Sequence, residues 1–260
     1  MKKFNVITSR ENSLIKLTSS LQSSANARKE NGLFVLEGLR IAKDAMDNGI
    51  WFDKLIISDT AFSKYQSEVE DFSEKSTECF KIPDSLFKKI SDTTSPQGII
   101  AIAELPKKKE GSIEKKGRYI ALENLADPSN LGAVSRTAEA LGVSGIILSR
   151  GGCDPYSPKS LRASMGTLLR MPIIIFDDFS REISESGLKT FACVVDKDAL
   201  PITNTEICDG CVFVIGNEAN GLTDETKSIA DLLITIPMKG RAESLNAAVA
   251  ASIAMWEMMK

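Results

Sequence analysis

Histidine is absent from the 260-residue sequence. Serine–histidine triads, histidine–zinc sites and histidine general bases are therefore excluded. Any proton removed in a reaction must go to a carboxylate, a lysine, a tyrosine, a cysteine, water or the substrate itself. Long apolar runs are missing too: no stretch reaches the length of a membrane span, and the opening MKKFNVITSREN lacks the apolar core of a signal peptide. Five cysteines, an odd number and widely spread, make no disulfide framework, so the chain reads as cytoplasmic. Cys208 and Cys211 form a CxxC, but no second pair lies at zinc-ribbon spacing, and no metal is expected. No G-x-G-x-x-G follows a strand and no G-x-x-x-x-G-K-S/T occurs, so dinucleotide and P-loop folds lose their fingerprints. The net charge of −3 argues against a surface that binds polyanions everywhere. The balance is uneven, however, with 19 basic against 17 acidic residues up to residue 117 and 13 against 18 beyond it. A local basic patch on the first part is permitted.

Patterning predicts an α/β protein in two parts. Residues 10–30 read as a serine-rich helix with Leu14, Leu17 and Leu21 on one side, ending before Asn31-Gly32. Strands are predicted at 33–36, 52–58, 79–82 and 98–103, separated by helices, which implies a small sandwich with a mainly parallel sheet. The polar loop SDTTSPQG, with Arg28, Lys29 and Arg40, is placed to contact a phosphate backbone, although scattered basic residues also simply solvate a surface. Residues 106–117, PKKKEGSIEKKG, are charged and apolar-poor, and mark the domain boundary: 1–105, a linker at 106–117, and 118–260.

Beyond the linker, strands are predicted at 118–123, 145–148, 172–176, 191–195 and 211–215, with a helix over Ser157–Leu169 carrying Lys159 and Arg162. Asp127-Pro128-Ser129 opens a helix with Asn130 at its mouth and Arg136 on its second turn. Gly216 leads from the apolar CVFVI into Asn217-Glu218. The last stretch, DLLITIPMKGRAESLNAAVAASIAMWEMMK, is a buried strand (Leu232, Leu233, Ile234, Ile236), a polar loop, and a helix with Ser244 at the N-cap position. Its residues Leu245, Ala248, Val249, Ser252, Ile253, Trp256 and Met259 recur at helical spacing, and five alanines between 247 and 254 give it a smooth face. Each junction alone is an ordinary capped strand-to-helix turn. Three in order (Asn130/Arg136, Asn217/Glu218, Ser244/Asn246) place amides, an acid, a hydroxyl and a guanidinium at one edge of an apolar sheet, which makes a site.

The segments NLADPSNLGAVSRTAEALG, FVIGNEANGL and IPMKGRAESLNAAVAASIA resemble the three motifs of the SpoU (TrmH-like) RNA ribose 2′-O-methyltransferases of the SPOUT class. DPYSPKSLRASMGTLLRMPI is similar to a segment of rRNA-directed members, and the first domain resembles their ribosomal-protein-like substrate-binding domain. The resemblance implies a C-terminal parallel sheet threaded into a trefoil knot, an exception to the rule against knots. It implies S-adenosyl-L-methionine as cofactor, held by the loops around Leu148 and Gly151, around Ile215, Gly216, Asn217 and Gly221, and around Ile236, Met238 and Leu245. It also implies a homodimer packed through the knotted region, with Arg136 facing the other subunit's cofactor. Asn130, Arg136, Glu218, Ser244 and Asn246 are the implied catalytic set. In it Asn130 positions Arg136 and the ribose, Glu218 holds Asn246 or accepts the proton, and Ser244 and Asn246 fix the knot loop. Arg28, Lys29, Arg40, Lys159 and Arg162 are expected on RNA, with rRNA the expected substrate. A tRNA substrate, a non-catalytic RNA-binding protein on this fold and a different α/β nucleotide enzyme are the alternatives.

Overall fold

A computed structural model describes residues 2–106 and 113–260. The elements in chain order begin β1 (Phe4–Val6), α1 (Ser13–Ser23), α2 (Ala25–Asn31), β2 (Leu33–Glu37), α3 (Leu39–Asp47), β3 (Phe52–Ser58), α4 (Asp59–Lys64), α5 (Gln66–Glu74), β4 (Ser76–Ile82), α6 (Asp84–Ile90) and β5 (Ile99–Glu104). They continue β6 (Arg118–Leu122), α7 (Pro128–Leu141), β7 (Gly145–Ser149), α8 (Pro158–Ser164), β8 (Ile173–Phe176), α9 (Phe179–Glu185), β9 (Lys189–Cys193), β10 (Leu200–Pro201), β11 (Cys211–Ile215), α10 (Asp224–Ser228), β12 (Leu232–Thr235) and α11 (Ala247–Met259). Two compact units result. One joins residues 2–106 with Tyr156–Leu169, and the other joins residues 113–155 with Arg170–Lys260. Half of the expected linker, 107–112, lies outside the described residues. Its end is anchored in the second unit, where the Glu114 amide donates to the Tyr119 hydroxyl at 2.9 Å.

The first unit's sheet runs β1-β4-β3-β5-β2. It is mixed, which corrects the mainly parallel expectation: β1 and β3 pair parallel with β4, but β5 runs antiparallel to both β3 and β2. The polar loop after α6 is held at the carboxyl end of β2, where the Glu37 carboxylate accepts from the Asp92 amide and the Thr93 hydroxyl. The chain therefore re-enters the sheet at the edge it left, with Gly98 accepting from the Ser58 amide at 2.9 Å. The helix expected over 10–30 is two helices. Ser24 adopts an extended conformation (φ −127°, ψ 120°), ends α1, and caps α2 through its side chain. The helix expected over 157–169 likewise stops at Ser164, because Met165 (φ 52°) is left-handed; a 3₁₀ turn at Thr167–Leu169 follows.

The second unit carries a seven-stranded sheet, β10-β12-β9-β11-β6-β7-β8, in which every pair is parallel. β7 and β11 are buried along their whole length and β6 from Tyr119 onward, as parallel strands covered on both faces require. One face packs Phe179 and Ile183 of α9 on Tyr119, Ala121, Val212 and Val214. On the other, α11 lies against α7, β11 and β6. The buried side of α11 is Ala247, Ala248, Ala251, Ala254, Met255 and Met258. Val249 (47 % exposed) and Trp256 (60 %) face outward. The apolar residues of α11 thus run all round the helix, and within one chain only the side with the four buried alanines, Met255 and Met258 is covered. Among the described residues no helix is long and apolar enough to cross a membrane.

Phe213 and Phe191 pack at 4.8 Å between ring centroids in the middle of this sheet, neither exposed to solvent. Phe213→Ala should lower the stability of the second unit by about 3–5 kcal/mol. The measurement is the shift in urea unfolding midpoint.

Candidate active site

Because the second sheet is parallel, the carboxyl ends of β6, β9, β11 and β12 share one edge, where open α/β sheets bind ligands. Beyond β6, the buried Glu123 carboxylate accepts from the Thr223 amide (2.9 Å), the Thr223 hydroxyl (2.7 Å) and the Thr226 hydroxyl (2.7 Å). That ties the start of α10 to the end of β6. Gly216, directly after β11, sits under the returning chain: a Cβ there would lie 2.2 Å from the Gly221 carbonyl carbon. Only glycine permits that approach, which closes the Asn217–Gly221 bridge. Asn217 completes the turn, its Oδ1 accepting from the Ala219 and Asn220 amides and its Nδ2 donating to the Asn124 carbonyl at 2.7 Å.

The three predicted junctions meet in one hydrogen-bonded set. Asn130, buried in the first turn of α7, donates its Nδ2 to Glu218 Oε1 at 2.8 Å and accepts at Oδ1 from Asn246 Nδ2 at 3.1 Å. Glu218 also accepts from the Ala126 amide (3.1 Å) and the Asp127 amide (3.2 Å) ahead of α7. Burial pulls its carboxyl upward, but the hydrogen bonds from Asn130 and from the backbone amides outweigh that and leave it below the usual carboxylate value. Glu218 does not hold Asn246 directly, as expected from the sequence; Asn130 stands between them. Asn130 makes no hydrogen bond to Arg136 within the chain; its amide is engaged with Glu218 and Asn246. Arg136 is exposed on α7 and has no hydrogen-bond or ion-pair partner among the described residues.

The N-cap of α11 is Asn246, not Ser244. Asn246 Oδ1 accepts from the Ala248 amide (2.9 Å) and the Val249 amide (3.3 Å), and Ser244 is exposed on the preceding loop. One asparagine therefore caps a helix with its oxygen and bonds Asn130 with its nitrogen, a division of roles a serine hydroxyl performs less well.

A cavity of about 500 Å³ opens beside this set, inside the range of ~300–1,000 Å³ common for small-molecule sites. Of the residues predicted for a cofactor, Ile215, Gly216, Asn217, Gly221, Ile236, Met238 and Leu245 line it, as do Glu218 and Ser244. Leu148 and Gly151 do not: the sheet order puts β7 two strands from β11, and Gly151 backs onto Asn124. Sequence reasoning missed the turn after β9, where Val194 and Asp196 line the cavity, and Lys227 on α10. The signal available was Asp196-Lys197-Asp198 directly after an apolar strand. Leu233, expected to be buried, is 37 % exposed because it faces this cavity. Nearby, burial pushes the Cys153 thiol up to about 12, with the carboxylates of Glu218, Asp154 and Asp127 adding to it, so it stays a neutral thiol.

In the first unit Lys29, Arg40, Lys159 and Arg162 are exposed. Arg28 is not: it is 5 % exposed, and its Nη1 donates to the carbonyls of Leu21 (2.5 Å) and Gln22 (3.4 Å). The break at Ser24 folds α2 back so that Arg28 satisfies carbonyls in the last turn of α1, which removes it from any RNA surface.

Glu218→Gln tests the network. A carboxyl held low stabilises the fold fully above the ordinary glutamate value of about 4.3, and that contribution is lost as pH falls through the folded value. The variant should unfold at lower urea than the parent at pH 7, and the gap should shrink below pH 4.

Residues 117–256 match the SpoU rRNA Methylase family, and residues 12–101 match the MRM3-like substrate binding domain. The chain is 25% identical, over 97% of its length and 98% of the relative's, to a 23S rRNA guanosine 2′-O-methyltransferase of Bacillus subtilis. It is 26% identical to a 23S rRNA uridine 2′-O-methyltransferase of Streptomyces viridochromogenes, over 98% of this chain and 91% of that one. The crystal structure of an AdoMet-bound rRNA methyltransferase from Sinorhizobium meliloti superposes with a TM-score of 0.85 at 28% identity, covering 98% of this chain and 97% of that one. With the family match spanning more than half its length and the motif residues gathered at one sheet edge, the chain belongs to the SpoU rRNA methylase family.

Proposed function

We propose that this protein transfers a methyl group from S-adenosyl-L-methionine to a ribose 2′-hydroxyl of rRNA. The observation that carries the reading is the Asn130–Glu218–Asn246 set, which fastens three family motifs around one cavity. The cavity fits the cofactor in character: apolar Ile215, Ile236, Met238 and Leu245 suit an adenine, the Gly216–Gly221 backbone offers polar groups, and Asp196 and Glu243 suit a cationic ligand. When bound, the cofactor supplies an electrophilic methyl on a sulfonium.

The chain's own residues do the rest by placement. The Asn130 set fixes the loops, so the methyl acceptor can be held in line without reorganisation. Glu218 is occupied by Asn130 and two backbone amides, and its low carboxyl suits an anchor better than a base. Arg136 brings a guanidinium fork suited to phosphate. Its role is to bind the phosphate next to the target ribose and to stabilise negative charge developing on the 2′-oxygen as the proton leaves to phosphate or water. The exposed side of α11, with Val249 and Trp256, supports a homodimer through this unit, in which Arg136 serves the partner's site. A trefoil knot is the threading we assign to the C-terminal part; the insertion of β11 and β12 on either side of β9 supports it. The relatives named for 23S rRNA support rRNA as substrate, with Lys29, Arg40, Lys159 and Arg162 as basic contacts.

Incubation with methyl-labelled cofactor and separately purified rRNA and tRNA tests the proposal. Label should enter rRNA as alkali-resistant 2′-O-methylribose. Arg136→Ala should lower kcat by about 10²-fold or more, on the scale of a lost oxyanion donor, and leave cofactor affinity within twofold. Label confined to tRNA would overturn the substrate, and an unchanged kcat would overturn the role of Arg136.

A further inference from the structure

The first unit has a second cavity, of about 200 Å³, lined by Arg40, Ile41, Gln97, Leu161, Arg162 and Met165 among others. Two guanidiniums on two different helices, α3 and α8, share it over an aliphatic surface. Arg40 has no ion-pair or hydrogen-bond partner among the described residues, whereas Arg162 donates Nη2 to Asp92 Oδ2 at 2.6 Å. Both members of that pair are more than a third exposed, 37% and 43%, so the pair itself stabilises little and can be exchanged for another anion.

The loop carrying Asp92 does not depend on the pair. The buried Glu37 carboxylate holds it, accepting from the Asp92 amide (2.9 Å), the Thr93 hydroxyl (2.9 Å) and the Ser91 hydroxyl, and from Gln22 Nε2 (2.8 Å) on α1. Those donors occupy both Glu37 oxygens. Gln97 is oriented as well. The Leu39 amide donates to its Oε1 at 2.8 Å, and a backbone amide can only donate, so the Gln97 NH₂ is the end left for a ligand.

We propose that this cavity binds one unpaired nucleotide of the RNA substrate. Its phosphodiester lies between Arg40 and Arg162, where the Asp92 carboxylate stands in for it in the RNA-free protein. Its base rests on Ile41 and Met165 within reach of the Gln97 amide. A cavity this size, below the ~300–1,000 Å³ common for whole small-molecule ligands, suits the base alone with its phosphodiester at the rim, and unpaired RNA is the form whose bases are open to such a pocket. The inference rests on the RNA reading above and narrows it: the first unit takes single-stranded RNA, and Asp92 competes with it.

Fluorescence anisotropy with a labelled, mixed-sequence single-stranded RNA dodecamer, and with the same sequence as a duplex, tests this on the full chain. The single strand should bind more tightly than the duplex. Arg40→Gln and Arg162→Gln should each weaken binding about fivefold or more and make the salt dependence shallower by about 0.7 in log–log slope. Asp92→Ala should tighten binding at least threefold, and that gain should vanish in the Arg162→Gln background. Cofactor affinity should stay within twofold of the parent in every variant. A gain that survives in the double variant is a general charge effect and overturns the proposal, as does an Asp92→Ala variant that binds no more tightly. If the parent chain binds neither RNA, the RNA reading itself fails; if it binds but the variants match it, only the nucleotide site fails.

Discussion

One amide does most to give the second unit its site. Asn130 has one oxygen and one NH₂ to offer, and the fold uses both: the NH₂ on Glu218, the oxygen on Asn246. Three loops from distant parts of the sequence are tied through this side chain. The arrangement is demanding because Asn130 is buried and each missing partner would leave a polar group unsatisfied. Replacing any one of the three by an apolar residue therefore costs more than a single hydrogen bond. The pay-off is a cavity whose walls are set before any ligand arrives.

Rigid walls suit the chemistry proposed for a histidine-free chain. An in-line methyl transfer asks chiefly for alignment, and the proton from a ribose hydroxyl has routes that need no tuned base. The motif guanidinium, Arg136, stands free of the network that builds the cavity. That separation is physically sensible. A guanidinium engaged with Glu218 or Asn130 would be neutralised and held away from phosphate, whereas one left on an exposed helix turn is available to RNA or to a second copy. The outward apolar side of α11 offers the same opening for assembly.

Several features could be read directly along the chain. β11 is an uninterrupted apolar pentapeptide, and a parallel strand buried on both faces requires just that. Asp127-Pro128-Ser129 begins α7 because Asp127 caps and Pro128 fits the first turn. Other features were hidden by ambiguity in local signals. Ser244 and Asn246 are both good N-caps, and nothing in ten residues says which one the chain will use. Arg28 looks like any surface arginine until the break at Ser24 turns it back on α1. The orientation of β5 followed from where Glu37, at the end of β2, holds the polar loop after α6, a contact no periodicity reports.

By itself, then, the amino-acid sequence determined the α/β class, the order of most elements (the short β1 and β10 and the break between α1 and α2 aside), the three motifs and the exclusion of histidine chemistry. All of these depend on residue type and on spacing within a few turns. Tertiary structure alone decided that Asn130 sits between Glu218 and Asn246, that the turn after β9 joins the cavity wall while Leu148 and Gly151 do not, and which side of α11 is covered. Those outcomes follow from strand order and close packing between residues up to 116 positions apart, and no local pattern encodes which neighbour a strand or a side chain will meet.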